Sequence, residues 1–290
     1  LDRVYDKEQK TKVIFDELIS PIMQDIMSGI NGTIFAYGQT SSGKTYTMMG
    51  DETSPGIISM CIKSIYNKIE NTPSRAYFVR VSYVELYNEN IVDLLSDSKK
   101  VLALGENFEG DVIVKELKEE LVQNCDDCME LLKRGEKERH YGSTNMNEKS
   151  SRSHVFFRVI IESRDRDETE GDAAFFVSQL YLIDLAGSEK LKQTGNVGQR
   201  ATEGGFINKS LLTLSQVISQ LSSNSRFICL GFFVSYRDSK LTRILQNSLG
   251  GNSKTVFICT VTPVAADETL STLRFATKVK CIKNRPVINE

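Results

Sequence analysis

The chain has 290 residues, is 40% hydrophobic, and carries 36 Lys+Arg against 38 Asp+Glu for a formal net charge of −2. That length can bury a substantial core as one large α/β domain or two small ones, and no Pro/Gly/Ser-rich linker, repeat or low-complexity tract divides it, which favours one. No apolar run reaches the roughly 18 to 20 residues of a membrane helix, Leu1-Asp2-Arg3-Val4-Tyr5-Asp6 is no signal peptide, and the whole molecule is no polycation, so neither membrane nor nucleic acid is an expected partner.

In chain order, the first element is a helix over 13–29, in which Ile14, Leu18, Ile22 and Ile26 recur at four-residue spacing. Pro21 is expected to kink or restart it, and Gly29 suits its C-terminal end. The apolar, β-branched run 32–37 reads as a buried strand. It feeds into Gly38-Gln39-Thr40-Ser41-Ser42-Gly43-Lys44-Thr45, which opens a helical stretch. Strand, glycine-rich loop and helix in that order form a P-loop. The two glycines let the backbone wrap phosphate oxygens, successive N–H groups point inward, and the helix turns its positive end to the anion. Lys44 can reach the β and γ phosphates, and the Thr45 hydroxyl can ligate magnesium. A helix over 56–70 and a strand over 77–86 follow. Residues 96–124 are charged and irregular and read as surface hairpins or loops.

A helix is expected over 126–140. Cys125-x-x-Cys128 at its start has half the spacing of a zinc site, but no second pair follows and His140 alone cannot complete four ligands. The six cysteines are scattered and make no disulfide framework, which fits a reducing cytosol or nucleus. Next, Asn147-Glu148-Lys149-Ser150-Ser151-Arg152-Ser153-His154 crowds hydroxyls, an Asn and an Arg ahead of a strand at 155–161. It reads either as a polar loop with capping serines or as a switch loop whose hydroxyls meet magnesium and γ-phosphate. After a charged loop at 163–173, the strand 174–185 carries Gln179-Leu180-Tyr181-Leu182-Ile183-Asp184, the form of an acid held near magnesium. An aspartate at a strand end is commonly structural; paired with the P-loop it points to the metal. Gly187, just beyond, can offer its N–H to a γ-phosphate.

Helices over 208–222, lined by Leu211, Leu214, Val217, Ile218 and Leu221, and over 267–283 flank a strand at 255–262. The run Arg226-Phe227-Ile228-Cys229-Leu230-Gly231-Phe232-Phe233 is apolar enough to be buried or to touch a partner. Strands alternating with helices predict an α/β fold with helices on both faces of a central sheet. Charge is uneven: residues 186–290 hold 14 Lys/Arg against 6 Asp/Glu, and residues 1–185 hold 22 against 32. This points to an acidic partner for the C-terminal part, unless the two halves interleave in space.

Together these elements resemble the kinesin motor family along the whole chain. The resemblance rests on Phe35-Ala36-Tyr37-Gly38-Gln39-Thr40 with the rest of the P-loop, on switch I at 147–154, and on switch II, Asp184-Leu185-Ala186-Gly187-Ser188-Glu189. Ile207-Asn208-Lys209-Ser210-Leu211 and Tyr236-Arg237-Asp238-Ser239-Lys240-Leu241-Thr242-Arg243 match two segments of the family's microtubule face. Asn247-Ser248-Leu249-Gly250-Gly251-Asn252 and Glu268-Thr269-Leu270-Ser271-Thr272-Leu273-Arg274-Phe275-Ala276 complete the series. Within the family the chain is most similar to the centromere-associated kinesins.

That resemblance implies a P-loop NTPase fold with a central mostly parallel, mixed β-sheet. It implies a motor domain over 1–279 lacking the family's first strand and its share of the adenine pocket, then the start of a neck linker over 280–290. The implied activity is a microtubule-stimulated ATPase using ATP/ADP and Mg2+. Gly38, Gln39, Thr40, Ser41, Ser42, Gly43, Lys44 and Thr45 would hold the phosphates, with Tyr46 against adenine. Thr45, Ser151 and, through water, Asp184 would serve the metal. Gly187 would sense the γ-phosphate, while Arg152 and Glu189 would close as a salt bridge around the attacking water. Microtubule contacts would come from Lys192, Arg200, Asn208, Lys209, Arg237, Lys240 and Arg243. A C-terminal neck linker implies plus-end-directed movement. The subfamily implies mitotic chromosome or kinetochore transport, a place in the cytoplasm, cytoskeleton and spindle, and a homodimer through a coiled coil outside this chain. Lys190, Ser215 and Ser235 replace the family's frequent Arg, Gly and Pro. A P-loop switch GTPase is the first competing reading, but Asn67-Lys68-Ile69-Glu70 and Asn208-Lys209-Ser210-Leu211 do not fit a guanine motif. A non-motile microtubule-binding module with a decayed site is the second; the presence of Lys44, Thr45, Arg152, Asp184 and Glu189 argues against it.

Overall fold

β1 (Gly32–Tyr37) is apolar on both faces, so it can sit only inside a sheet covered on both sides, and all six of its residues are buried. The computed structural model, which describes residues 1–141, 151–166, 175–189, 199–223 and 234–290 (backbone alone at 140–141 and 199–208), places it there. The further strands are β2 (Arg75–Tyr87), β3 (Asn90–Asp93), β4 (Val101–Leu102), β5 (Leu104–Glu106), β6 (Val112–Val114), β7 (Glu120–Val122), β8 (His154–Asp165), β9 (Phe176–Asp184) and β10 (Lys254–Cys259). The main sheet runs β10-β1-β9-β8-β2-β3-β4, with β7 also paired to β2, and β5 and β6 form a separate hairpin. Pairing is parallel within β10-β1-β9 and antiparallel in the other strand pairs. The sheet is therefore mixed as expected, but "mostly parallel" is corrected: parallel pairing is confined to the three strands that carry the site.

The helices are α1 (Thr11–Ile14), α2 (Ser20–Ile26), α3 (Lys44–Met49), α4 (Ile57–Glu70), α5 (Cys125–Tyr141), α6 (Gln199–Ser223), α7 (Lys240–Ile244) and α8 (Ala266–Val279). A π-helical turn, Phe15–Ile19, joins α1 to α2. Pro21 sits in the first turn of α2, where its missing N–H is no loss. So the helix restarts there rather than running through.

Alternation along the inner strands sends side chains to two cores. Ile34, Val155, Phe157 and Leu182 meet Ile19, Met23, Met48, Ile62 and Leu132 on one face. Phe35, Phe156 and Ile183 meet Leu214, Val217, Ile218, Leu241 and Phe275 on the other. Phe35 is fully buried and stacks on Phe257 at 4.4 Å between ring centroids; truncation to Ala there would cost about 3 to 5 kcal/mol. Among the described residues no helix is long and apolar enough to cross a membrane.

Candidate active site

Parallel pairing places the C-terminal ends of β1, β9 and β10 side by side, the position where open α/β sheets bind ligands. Ala36 pairs with Asp184 and Tyr37 with Cys259. The loop leaving β1 therefore starts beside the acid that ends β9. Gly38 has to be glycine, because a Cβ there would lie 2.2 Å from the Thr260 carbonyl oxygen. The loop is further pinned where the Ser42 and Thr260 hydroxyls meet at 2.7 Å. Gly43 caps α3 in a left-handed conformation with φ of 101°. Its backbone thus turns the first N–H groups of the helix toward the loop interior.

Lys44 is buried and donates from Nζ to the Gln39 carbonyl at 2.8 Å. Burial lowers its pKa, against the opposing pull of Asp184 and Glu189. The Thr45 hydroxyl donates to Asp184 Oδ2 at 2.6 Å. Burial raises the Asp184 pKa, offset in part by that hydrogen bond and by Arg139 and Lys44. Asp184 Oδ1 is buried without a hydrogen-bond partner among the described residues. An orphaned carboxylate oxygen beside a threonine hydroxyl is an oxygen-donor set that suits Mg2+. Behind it lies a polar cluster: Arg139 is 3.8 Å from both Glu85 and Glu136 and donates to Ser153 Oγ at 3.3 Å. Tyr46, expected against adenine, leaves 49% of its surface open.

The switch segments meet through the backbone. Gly187 N–H donates to the Ser151 carbonyl at 2.9 Å and Ser188 N–H to the Gly38 carbonyl at 3.0 Å. Glu189 lies on the P-loop: one carboxylate oxygen accepts from Thr40 N–H at 2.7 Å and the other from the Thr40 hydroxyl. Residues 147–150 and Lys190 lie outside the described residues. His154, the last residue of the switch I match and given no role of its own from the sequence, links β8 to switch II and α6; its place in that match, just before a long apolar strand, was the available signal.

A model of the kinesin motor domain matches residues 1–282. Human centromere-associated protein E is 50% identical over 100% of this chain, and Arabidopsis thaliana kinesin-like protein KIN-7N is 46% identical over 100%. The chain belongs to the kinesin motor family. It spans 11% and 35% of those two relatives. A solved fast kinesin superposes with a TM-score of 0.90 at 44% identity, covering 100% of this chain and 81% of that one. Kinesin motors are P-loop ATPases, and this chain is one by family.

Of the expected kinesin track residues, Lys192 lies outside the described residues, and Arg200 and Asn208 are placed by the α6 backbone alone. Lys209 is exposed. Arg237 and Arg243 both pair with Glu106 on β5, and Arg243 also donates to Gln246 at 2.8 Å. Lys240 gives its backbone N–H to Glu89 at 2.7 Å, and among the described residues its side chain forms no ion pair. The apolar run 226–233 lies outside the description.

Residues 280–290 lie along the sheet. Asn284 donates to the Ser248 and Ser253 carbonyls at 3.0 and 2.7 Å and accepts from Gly250 N–H at 2.7 Å. Val287 N–H reaches Asn252 Oδ1 at 2.8 Å, and Asn252 Nδ2 reaches Asn289 Oδ1 at 2.8 Å. Asn289 then donates to the Gly29 and Val177 carbonyls at 2.8 and 3.0 Å, and Ile288 bridges Ile30. Ile282 lines a cavity of about 320 Å³ with Ile22, Leu249, Phe257 and Val279.

Proposed function

We propose that this chain is a microtubule-stimulated ATPase that drives plus-end-directed movement, in mitotic chromosome or kinetochore transport. The observation that carries the ATPase reading is the meeting of Lys44, the Thr45–Asp184 pair and the Glu189–Thr40 contact at one end of β1 and β9. A nucleoside triphosphate would take Lys44 from the Gln39 carbonyl, while Thr45 and Ser151 and, through water, Asp184 would hold Mg2+. The metal supplies neutralisation of charge on the phosphate oxygens. Gly187 would turn its N–H from Ser151 to the γ-phosphate, and Glu189 would leave Thr40 for Arg152 to close the site around the attacking water. Catalysis is then positioning and electrostatics, with little covalent chemistry by the protein.

Track binding is assigned to Lys192, Arg200, Asn208, Lys209, Arg237, Lys240 and Arg243, in a half of the chain rich in cations. Residues 280–290 act as the neck linker, a reading supported by their hydrogen bonds along Gly29 and Val177; a C-terminal linker supports plus-end direction. The mitotic role is supported by likeness to centromere-associated protein E. The relatives' greater length leaves room for a coiled coil that pairs two copies. Steady-state ATP hydrolysis with and without polymerised microtubules tests the reading. Strong stimulation is expected; normal basal turnover without stimulation overturns the choice of track.

A further inference from the structure

We propose that His154 is a positioning residue that ties switch II to α6, so that a shift of α6 on its track is felt at Gly187. Four successive N–H groups of switch II each leave for a different acceptor. Leu185 donates to the Ala36 carbonyl at 3.3 Å, Gly187 to the Ser151 carbonyl at 2.9 Å and Ser188 to the Gly38 carbonyl at 3.0 Å. Ala186 alone of the four donates to a side chain, His154 Nδ1, at 3.0 Å. The same ring meets Ser210 Oγ on α6 with Nε2 at 2.9 Å.

Because Nδ1 accepts from a backbone N–H, it carries no proton, so Nε2 carries it and donates to Ser210. The ring is thus a polar strut of fixed direction between Ala186 and α6. His154 is 2% exposed and Ser210 4%, so water does not replace either bond cheaply. The burial and the nearby Lys44 push the imidazole pKa down to about 3, which keeps the strut neutral at working pH.

Gly187 is closely surrounded in the present arrangement. A Cβ there would lie 2.3 Å from Thr40 Oγ1 and 2.4 Å from a Glu189 oxygen. Its path is therefore set by what holds its neighbours, and the hold on Ala186 passes through His154 to α6. A bland alternative is a core histidine whose two bonds merely fill space.

The inference rests on the motor reading, and the test separates the two. Ser210→Ala removes the α6 end of the strut, and His154→Asn keeps an acceptor near Nδ1 without the reach to Ser210. Each is expected to lower the microtubule-stimulated kcat about three- to tenfold, with basal turnover of Ser210→Ala held and its urea midpoint lowered only by the loss of one buried hydrogen bond. The double variant is expected to lose no more than the worse single one. Stimulation of Ser210→Ala equal to the parent's, or losses that multiply in the double variant, overturns the proposal. A parent chain that microtubules do not stimulate fails the motor reading instead. A second readout then decides the strut: the chain holds two histidines, and long-range 1H–15N spectra of the parent are expected to show His154 protonated on Nε2 alone. A proton on Nδ1 overturns it.

Discussion

Glu106 stands on β5 between two guanidinium groups, Arg237 at 3.1 Å and Arg243. Its carboxylate cancels one of the cations that this face would offer an acidic track. Glu106→Gln raises the local charge of the trio from +1 to +2 and leaves an amide oxygen for Arg243. A unit charge about 4 to 8 Å from an acidic group in a water-like dielectric contributes about 0.5 to 1 kcal/mol. Glu106 and Arg237 keep 43% and 77% of their side chains exposed, so screening favours the lower figure. Microtubule affinity is thus expected to rise about twofold, at most fivefold, in about 25 mM salt, and the gain to shrink in about 150 mM salt. Co-sedimentation with polymerised microtubules at the two salt concentrations measures it. Unchanged or weaker binding of Glu106→Gln at low salt, with an unchanged melting midpoint, would refute the assignment of this trio to the track face.

Glu189→Ala is expected to leave ATP affinity nearly intact and to cut turnover by about 100-fold or more; loss of nucleotide binding in a fluorescent-ATP titration would remove Glu189 from closure. His154 gives a pH dependence whose sign follows from its lowered folded pKa. Its stabilising contribution is whole above the unfolded value of 6.5 and is lost as pH falls toward about 3, at about 1.4 kcal/mol per unit. Urea unfolding near pH 7.5 and pH 5.5 is expected to show that slope in the parent and its absence in His154→Asn; equal slopes would contradict it. Asn289→Ala deletes the bonds to Gly29, Val177 and Asn252 and is expected to weaken docking of 285–290 about tenfold or more. A spin-label distance from residue 290 to the sheet reads this, with basal hydrolysis persisting; an unmoved label would show that Asn289 does not hold the segment.

What was legible in the sequence was contiguous. The strand 32–37 and the loop 38–45 are adjacent along the chain, so their chemistry could be read from spacing alone. α6 begins at Gln199, whereas the sequence pattern placed its start at 208, because Gly204 and Gly205, residues of low helix propensity, lie inside it. The reading of 96–124 as surface hairpins or loops is met by the β5–β6 hairpin, but the individual strands β3 to β7 could not be delimited because each has two to four residues, many half-exposed, too few to set a period. The contacts that define the present state of the site were invisible for a different reason. Thr40 and Glu189 lie 149 residues apart, and Arg237 and Glu106 lie 131 apart. Nothing local in either partner announces the other.

The segment after α8 is fastened almost wholly by uncharged groups, the amides of Asn252, Asn284 and Asn289 and backbone N–H and C=O; its one ion pair among the described residues, Lys280 with Asp2, is exposed. Neutral hydrogen bonds are indifferent to ionic strength, whereas attraction between a basic surface and an acidic one fades within a Debye length. With residues 280–290 as the neck linker and the basic face as the track surface, as proposed above, raising salt is expected to loosen the hold on the track and to leave the docking of this segment unchanged.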